Sequence, residues 1–124
     1  MYIPSSVEEV STWGCYHQNT DWFYDVEVSP DNEFYSSVDG NLTSKDKKTL
    51  IYAKVSKDGF TVPDGIEVIE KHSLFSTKGV RTIPASVREI NYSLYGTTIC
   101  TTSGTYAEAY AKKNKAKLIV DGVL

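Results

Sequence analysis

Ile83-Pro84-Ala85-Ser86-Val87-Arg88-Glu89-Ile90 decides how this chain is read, because the same pattern occurs three times. The other copies are Val62-Pro63-Asp64-Gly65-Ile66-Glu67-Val68-Ile69 and Ile3-Pro4-Ser5-Ser6-Val7-Glu8-Glu9-Val10. The shared order is a β-branched residue, proline, any residue, a small residue, a β-branched residue, two variable positions, then Val or Ile. Pro63 and Pro84 stand 21 residues apart, a period expected of short stacked repeats.

Each position has a physical reason. The first β-branched residue ends a short strand with its side chain turned to the core. Proline then removes a backbone donor and fixes φ, which stops the strand and begins a turn. Ser6, Gly65 or Ser86 permits the tight corner. The pairs Val7/Val10, Ile66/Ile69 and Val87/Ile90 fill the next side of the coil. One such coil cannot bury its apolar side alone, so neighbours must stack.

Working outward, a degenerate fourth copy runs through Val26-Glu27-Val28-Ser29-Pro30, with Phe23, Val26 and Val28 in the apolar places. After it an insertion is expected at about residues 34–53. Asn41-Leu42-Thr43 and Thr49-Leu50-Ile51-Tyr52 read as two strands around the polar turn Ser44-Lys45-Asp46-Lys47-Lys48, a β-hairpin. A C-terminal cap is expected at about 97–120. Thr97-Thr98-Ile99-Cys100 reads as a strand, and Thr105-Tyr106-Ala107-Glu108 is a capping-box pattern. Tyr106, Ala107, Tyr110 and Ala111 recur at helical spacing. Lys112, Lys113 and Lys115 crowd the helix end that favours cations, and Ala116-Lys117-Leu118-Ile119-Val120 reads as a closing strand.

These motifs resemble the BspA-like leucine-rich repeats, found mostly in bacterial surface proteins and in some protists. The resemblance rests on the three octets, on Val38-Asp39-Gly40-Asn41-Leu42 followed by Ser44 to Tyr52, and on Thr105 to Asn114. It implies one domain over residues 1–124: an α/β solenoid made mainly of short β-strands, a leucine-rich-repeat coil with the hairpin inserted and a capping helix and strand at its end. It also implies an extracellular or cell-surface role in adhesion or protein interaction, and it transfers no catalytic residue. Two departures stand out. Gly14-Cys15, Ser73-Leu74 and Leu94-Tyr95 replace the family's usual Ala-Phe pair. Arg81 stands two before Ile83, where an inward apolar residue is expected, unless Val80 turns inward through a bulge.

Composition narrows the function classes. With 40% hydrophobic and 23% charged residues, disorder is not the default, and no apolar run approaches bilayer length, so membrane insertion is not expected. A net charge of -3 lacks the basic excess that nucleic acid binding needs. Met1 to Ser6 has no signal-peptide features, which leaves a cytoplasmic protein or a mature secreted one.

The residues that could carry chemistry are few. Cys15 with His17, or with His72 as a second base, permits a thiol nucleophile, but Cys15 also fits an apolar core slot. No paired ligand spacing for zinc exists, and Asp39, Asn41 and Asp46 do not follow the calcium-loop spacing. No catalytic, cofactor-binding or metal residues are therefore assigned, and no cofactor is expected. Asn41-Leu42-Thr43 and Asn91-Tyr92-Ser93 match the N-glycosylation pattern. In Asp21-Trp22-Phe23-Tyr24-Asp25, an inward Phe23 sends Trp22 and Tyr24 to the opposite face. Trp22 and Tyr24, with Trp13 and Tyr16, form the candidate binding surface.

The expected function is a non-catalytic protein-interaction or adhesion module that binds a protein or surface glycan. The alternatives are a structural capping segment or spacer of a longer surface protein, and a small cysteine hydrolase. Cys15 and Cys100 are expected not to bond to each other, since several coils separate them. The N-terminal end, with little strand before the first octet, is expected to support a homodimer through residues 1–30.

Overall fold

The three octet prolines act alike in a computed structural model, which describes residues 2–9, 26–54, 59–70, 73–74, 79–91 and 97–122. Val7 N–H donates to the Pro4 carbonyl at 3.3 Å, Ile66 to Pro63 at 3.3 Å and Val87 to Pro84 at 3.2 Å. Proline cannot donate, yet its carbonyl closes a four-residue turn. The small residue takes the third place in that turn. Gly65 has φ +94° there, the conformation of a type II turn, whereas Ser6 and Ser86 keep negative φ.

Among the described residues, eleven strands and one helix surround these turns. They are β1 Tyr2–Ile3, β2 Glu27–Val28, β3 Tyr35–Val38, β4 Asn41–Ser44, β5 Thr49–Tyr52, β6 Phe60–Thr61, β7 Val68–Ile69, β8 Val80–Thr82, β9 Glu89–Ile90, β10 Thr98–Thr101, α1 Tyr106–Lys113 and β11 Lys117–Val120. They form three sheets, ordered β1-β2, β11-β10-β8-β6 and β3-β4-β5-β7-β9. Thr61 pairs with Thr82 in one sheet and Ile69 with Ile90 in another, so both repeat the octets' 21-residue offset.

This architecture corrects the expected α/β solenoid and leucine-rich-repeat coil. The described residues build three small β-sheets and a single eight-residue helix. The second and third octets each close in a tight turn and run into another two-residue strand, β7 and β9. The middle of the chain departs further. Asp39 and Gly40, at φ 52° and 84°, make a two-residue hairpin turn of the primed kind. They fold β3 antiparallel onto β4, which is in turn antiparallel to β5. A three-stranded meander therefore stands where a simple inserted hairpin was expected. Near residue 105 a cap and a run of helix formers coincide and give the helix.

Apolar side chains collect in two clusters. Val62, Ile66, Ile69, Ile83, Val87 and Ile90 join Leu50, Phe60, Ile99, Ala107 and Ala111 in the larger. Ile3, Val26, Val28, Leu42 and Tyr52 form the smaller, with Val7, Tyr35 and Ile51 against it. Strand β5 serves both, through Leu50 and Tyr52.

The doubt about Arg81 resolves against a bulge. Val80 is 37% exposed, and β8 pairs in regular register with β6 and β10. Arg81 occupies the row between Phe60 and Ile99, both buried. Its Nη1 reaches out to the Gly79 carbonyl at 3.3 Å. A long stem can lie along apolar neighbours while its charged end stays in water.

Polar side chains join the turns to each other. Ser86 Oγ accepts from Gly65 N–H at 3.2 Å and donates to the Ile66 carbonyl at 2.8 Å, which stitches two octet corners together. Asn32, fully buried, does more. Its Nδ2 donates to the carbonyls of Pro4 and Val7 at 3.0 and 2.9 Å, while its Oδ1 accepts from Phe34 and Tyr35 N–H, both at 2.8 Å. On the outer face, Glu67 lies between Lys48 at 3.7 Å and Arg88 at 3.1 Å. These are exposed ion pairs, each worth about 1 kcal/mol or less.

In the β4–β5 turn, Asp46 Oδ1 accepts from Ser44 Oγ at 2.6 Å and from Lys48 N–H at 3.1 Å. The Ser44 hydroxyl first, then the Lys48 amide, holds its carboxyl below the usual range. The pairs Gly14-Cys15 and Leu94-Tyr95 lie outside the described residues, as does most of the segment 1–30 expected to dimerise. Cys100 carries a free thiol.

Asn32→Ala removes all four bonds and strands their buried partners, so urea unfolding should show a loss of about 3 kcal/mol. Ser73→Ala should have the opposite sign: Ser73 is buried and its Oγ has no hydrogen-bond partner. Deleting that hydroxyl should add about 1 kcal/mol, and a loss would contradict the burial of an unsatisfied group. For Asp46, a pKa lower in the folded state contributes stability above the unfolded value of ~3.9, lost as pH falls through the folded value. An NMR titration should find the Lys48 amide changing with a midpoint below ~3.9, and Ser44→Ala should move that midpoint upward.

Candidate functional site

The aromatic residues singled out from sequence, Trp13, Tyr16, Trp22 and Tyr24, lie outside the described residues, as do Cys15, His17 and His72. What the structure does bring together lies at the other end of the chain.

Helix α1 begins where its sequence dictates. Thr105 Oγ1 accepts from Glu108 N–H at 3.2 Å, and Glu108 Oε1 reaches back to accept from Gly104 N–H at 3.1 Å. One orphan donor of the first turn, Glu108 N–H, and the Gly104 N–H just before the cap are thereby satisfied. Ala107 and Ala111 face the core and are fully buried. The stripe beside them, Tyr106, Ala109, Tyr110 and Lys113, follows the 3, 4 and 7 spacing of one helix face. The helix ends at Asn114, whose backbone N–H and Nδ2 both donate to the Tyr110 carbonyl at 3.0 Å.

That second stripe borders the end of β9. Strand β9 is the last in its sheet among the described residues, and Ile90 N–H donates to the Tyr106 hydroxyl at 3.4 Å. The bond is long, but it covers an edge donor. Between helix and strand lies an open groove of about 390 Å³ lined by Ile90, Tyr106, Ala109, Tyr110, Lys113 and Asn114. This is the size range of small-ligand sites. The Tyr106 and Tyr110 ring centroids stand 6.1 Å apart with 30° between the ring planes, so the two present a tilted aromatic pair on the groove wall. Tyr106 is 40% exposed, while Tyr110 packs partly against the core.

Two carboxylates, Glu89 and Glu108, and two lysines, Lys112 and Lys113, stand around the groove. Lys112 reaches Glu108 at 3.8 Å, and Asn91 Nδ2 donates to Glu89 Oε2 at 3.0 Å. Both nearby carboxylates are therefore engaged. Lys113 is exposed and has no ion pair among the described residues. The groove thus offers a tilted aromatic pair with a lysine in its lining.

Sequence reasoning grouped Tyr106 and Tyr110 with Ala107 and Ala111 as one periodic set. The structure divides them: the alanines are core, and the tyrosines flank it. The step from 106 to 109, 110 and 113 was the available signal. Of the two glycosylation patterns, Asn41 is 2% exposed, its Nδ2 donating to the Val38 carbonyl and its Oδ1 accepting from Lys54 N–H. It is a structural residue. Asn91 is exposed.

The two tyrosines should separate in stability. Tyr110→Ala removes a half-buried ring and should cost about 2 kcal/mol, whereas Tyr106→Ala should cost about 1 kcal/mol or less. Urea midpoints of the two variants check this, and equal losses would mean that Tyr106 is also a packing residue.

Comparison with known proteins adds no relative: no family model, no curated protein and no solved structure matches this chain.

Proposed function

We propose that this chain is a non-catalytic binding module that recognises a protein or a surface glycan, with the groove beside β9 as its contact point. The observation that carries this reading is the Tyr106–Tyr110 pair next to Lys113, a cation without an ion pair among the described residues. Aromatic rings with a polar tip supply contact area at low entropic cost, which suits recognition surfaces. The helix and sheet that carry them pack on the main core, so the groove is formed before a partner arrives. The resemblance to bacterial surface proteins supports a place outside the cell. A net charge of -3 argues against nucleic acid as the partner.

A structural reading is the runner-up, and one observation favours it. The Tyr106 hydroxyl covers the outward N–H of Ile90, so α1 also protects a sheet edge.

Binding to a glycan array and to a panel of purified extracellular proteins tests the two together. The binding reading expects at least one saturable partner whose affinity falls about tenfold or more in Tyr106→Ala. The capping reading expects no partner, and self-association of Tyr106→Ala by light scattering. A partner bound equally well by Tyr106→Ala would place recognition elsewhere.

A further inference from the structure

We propose that the open edge of β11 pairs with the same edge of a second copy of this chain, antiparallel, with a two-fold axis at Ile119. Strand β11 is held to β10 through Lys117 N–H on the Thr97 carbonyl at 2.7 Å and Asp121 N–H on the Thr101 carbonyl at 3.0 Å. Backbone groups of alternate residues in a strand point to opposite sides. Leu118 and Val120 therefore turn their N–H and C=O away from β10, and no described strand meets them. The other edges are shorter or covered. Strands β1, β2 and β6 have two residues each. Strand β2 lies along β3 with Val28 N–H on Ser37 Oγ, and Ile90 N–H on β9 donates to the Tyr106 hydroxyl. No residue of β11 lines the groove beside β9.

The sequence of this edge is complementary to itself. In Lys117-Leu118-Ile119-Val120-Asp121 a cation and an anion stand at opposite ends of three aliphatic residues. An antiparallel pair centred on Ile119 sets Lys117 of each copy opposite Asp121 of the other, and Leu118 opposite Val120. The outward backbone groups fit the same register. Leu118 and Val120 exchange N–H···O bonds across the edge, and Ile119 falls in the non-bonded place on the axis, where side chains approach most closely. Both copies use the same surface, so the contact closes after two subunits. A parallel pairing in register would instead set Lys117 beside Lys117 and Asp121 beside Asp121. Lys117 and Asp121 are exposed, and neither has an ion pair among the described residues. Asp121 begins a turn at φ 52°, but its N–H stays in the ladder. The Ser103 N–H that donates to its Oδ1 at 3.2 Å is neutral and leaves its charge in place. A lysine on an edge strand discourages most pairings; opposite an aspartate it selects one.

Sedimentation velocity of the full chain across a range of concentrations tests this, with a monomer–dimer equilibrium expected. Lys117→Asp and Asp121→Lys each set like charges opposite one another and should each weaken the dimer about tenfold. An equimolar mixture of the two variants restores opposite charges at both ends of the pair and should recover association as tight as wild type. Val120→Pro removes an N–H that faces away from β10, a change an edge strand tolerates. It should abolish the dimer while circular dichroism stays unchanged. A wild-type chain still monomeric at about 1 mM would overturn the proposal. So would a dimer indifferent to Val120→Pro or to both charge variants, which would put the contact on another surface. Charge variants that weaken the dimer but fail to recover on mixing would overturn the antiparallel register. Should Val120→Pro lose its fold, the charge mixture alone decides.

Discussion

A proline carbonyl accepting the N–H three residues on is the contact that the rest of the chain depends on. In the second and third octets it joins the end of one strand to the corner before the next. Because the corner has a fixed length, a strand on one side of the turn and a strand on the other inherit the same offset. The Thr61–Thr82 pairing and the Ile69–Ile90 pairing lie in different sheets yet share it. Strands of two or three residues would be too short to hold a register by ladder bonds alone. The turn supplies it, and the inward Val62, Ile66, Ile69 set then meets Ile83, Val87, Ile90 in the core.

The corners also need partners for their own backbone groups, since turns near a core cannot leave them unpaired. Two side chains meet that need differently. Ser86 bridges one corner to the next with a single hydroxyl. Asn32 supplies two donors and an acceptor used twice, the full capacity of the buried amide at that point, and so ties the first octet to the segment before β3. The network lies beside the smaller cluster around Ile3 and Val28 and adds a polar tie to it at that end.

At the other end the demand is for edge protection, and it creates the groove. Strand β9 finishes its sheet among the described residues, so its outward N–H faces no described strand. Helix α1 places a tyrosine there because the core takes Ala107 and Ala111, residues small enough to bring the helix close. The neighbouring stripe then hangs over the edge. One constraint, small residues in the helix–core contact, thus accounts for both the cap and the aromatic pair.

Much of this was legible from residue order, and the boundary has a physical cause. The octets determined which side chains face inward, because a β-branched residue before proline has one compatible use. Thr105 and Glu108 determined where the helix starts, and the Asp39-Gly40 pair carries a hairpin signal that the expected coil obscured. Arg81 was harder. Its identity argues against an inward row, and only the pairing with Phe60 and Ile99 puts it there. The tertiary structure likewise decided that the strands divide into three sheets and do not form one α/β coil, since a turn specifies its own geometry but not which sheet receives the next strand. It alone placed Tyr106 against Ile90. That contact joins residues 16 apart and depends on β9 being a last strand, a property of the assembled sheet that no local pattern encodes.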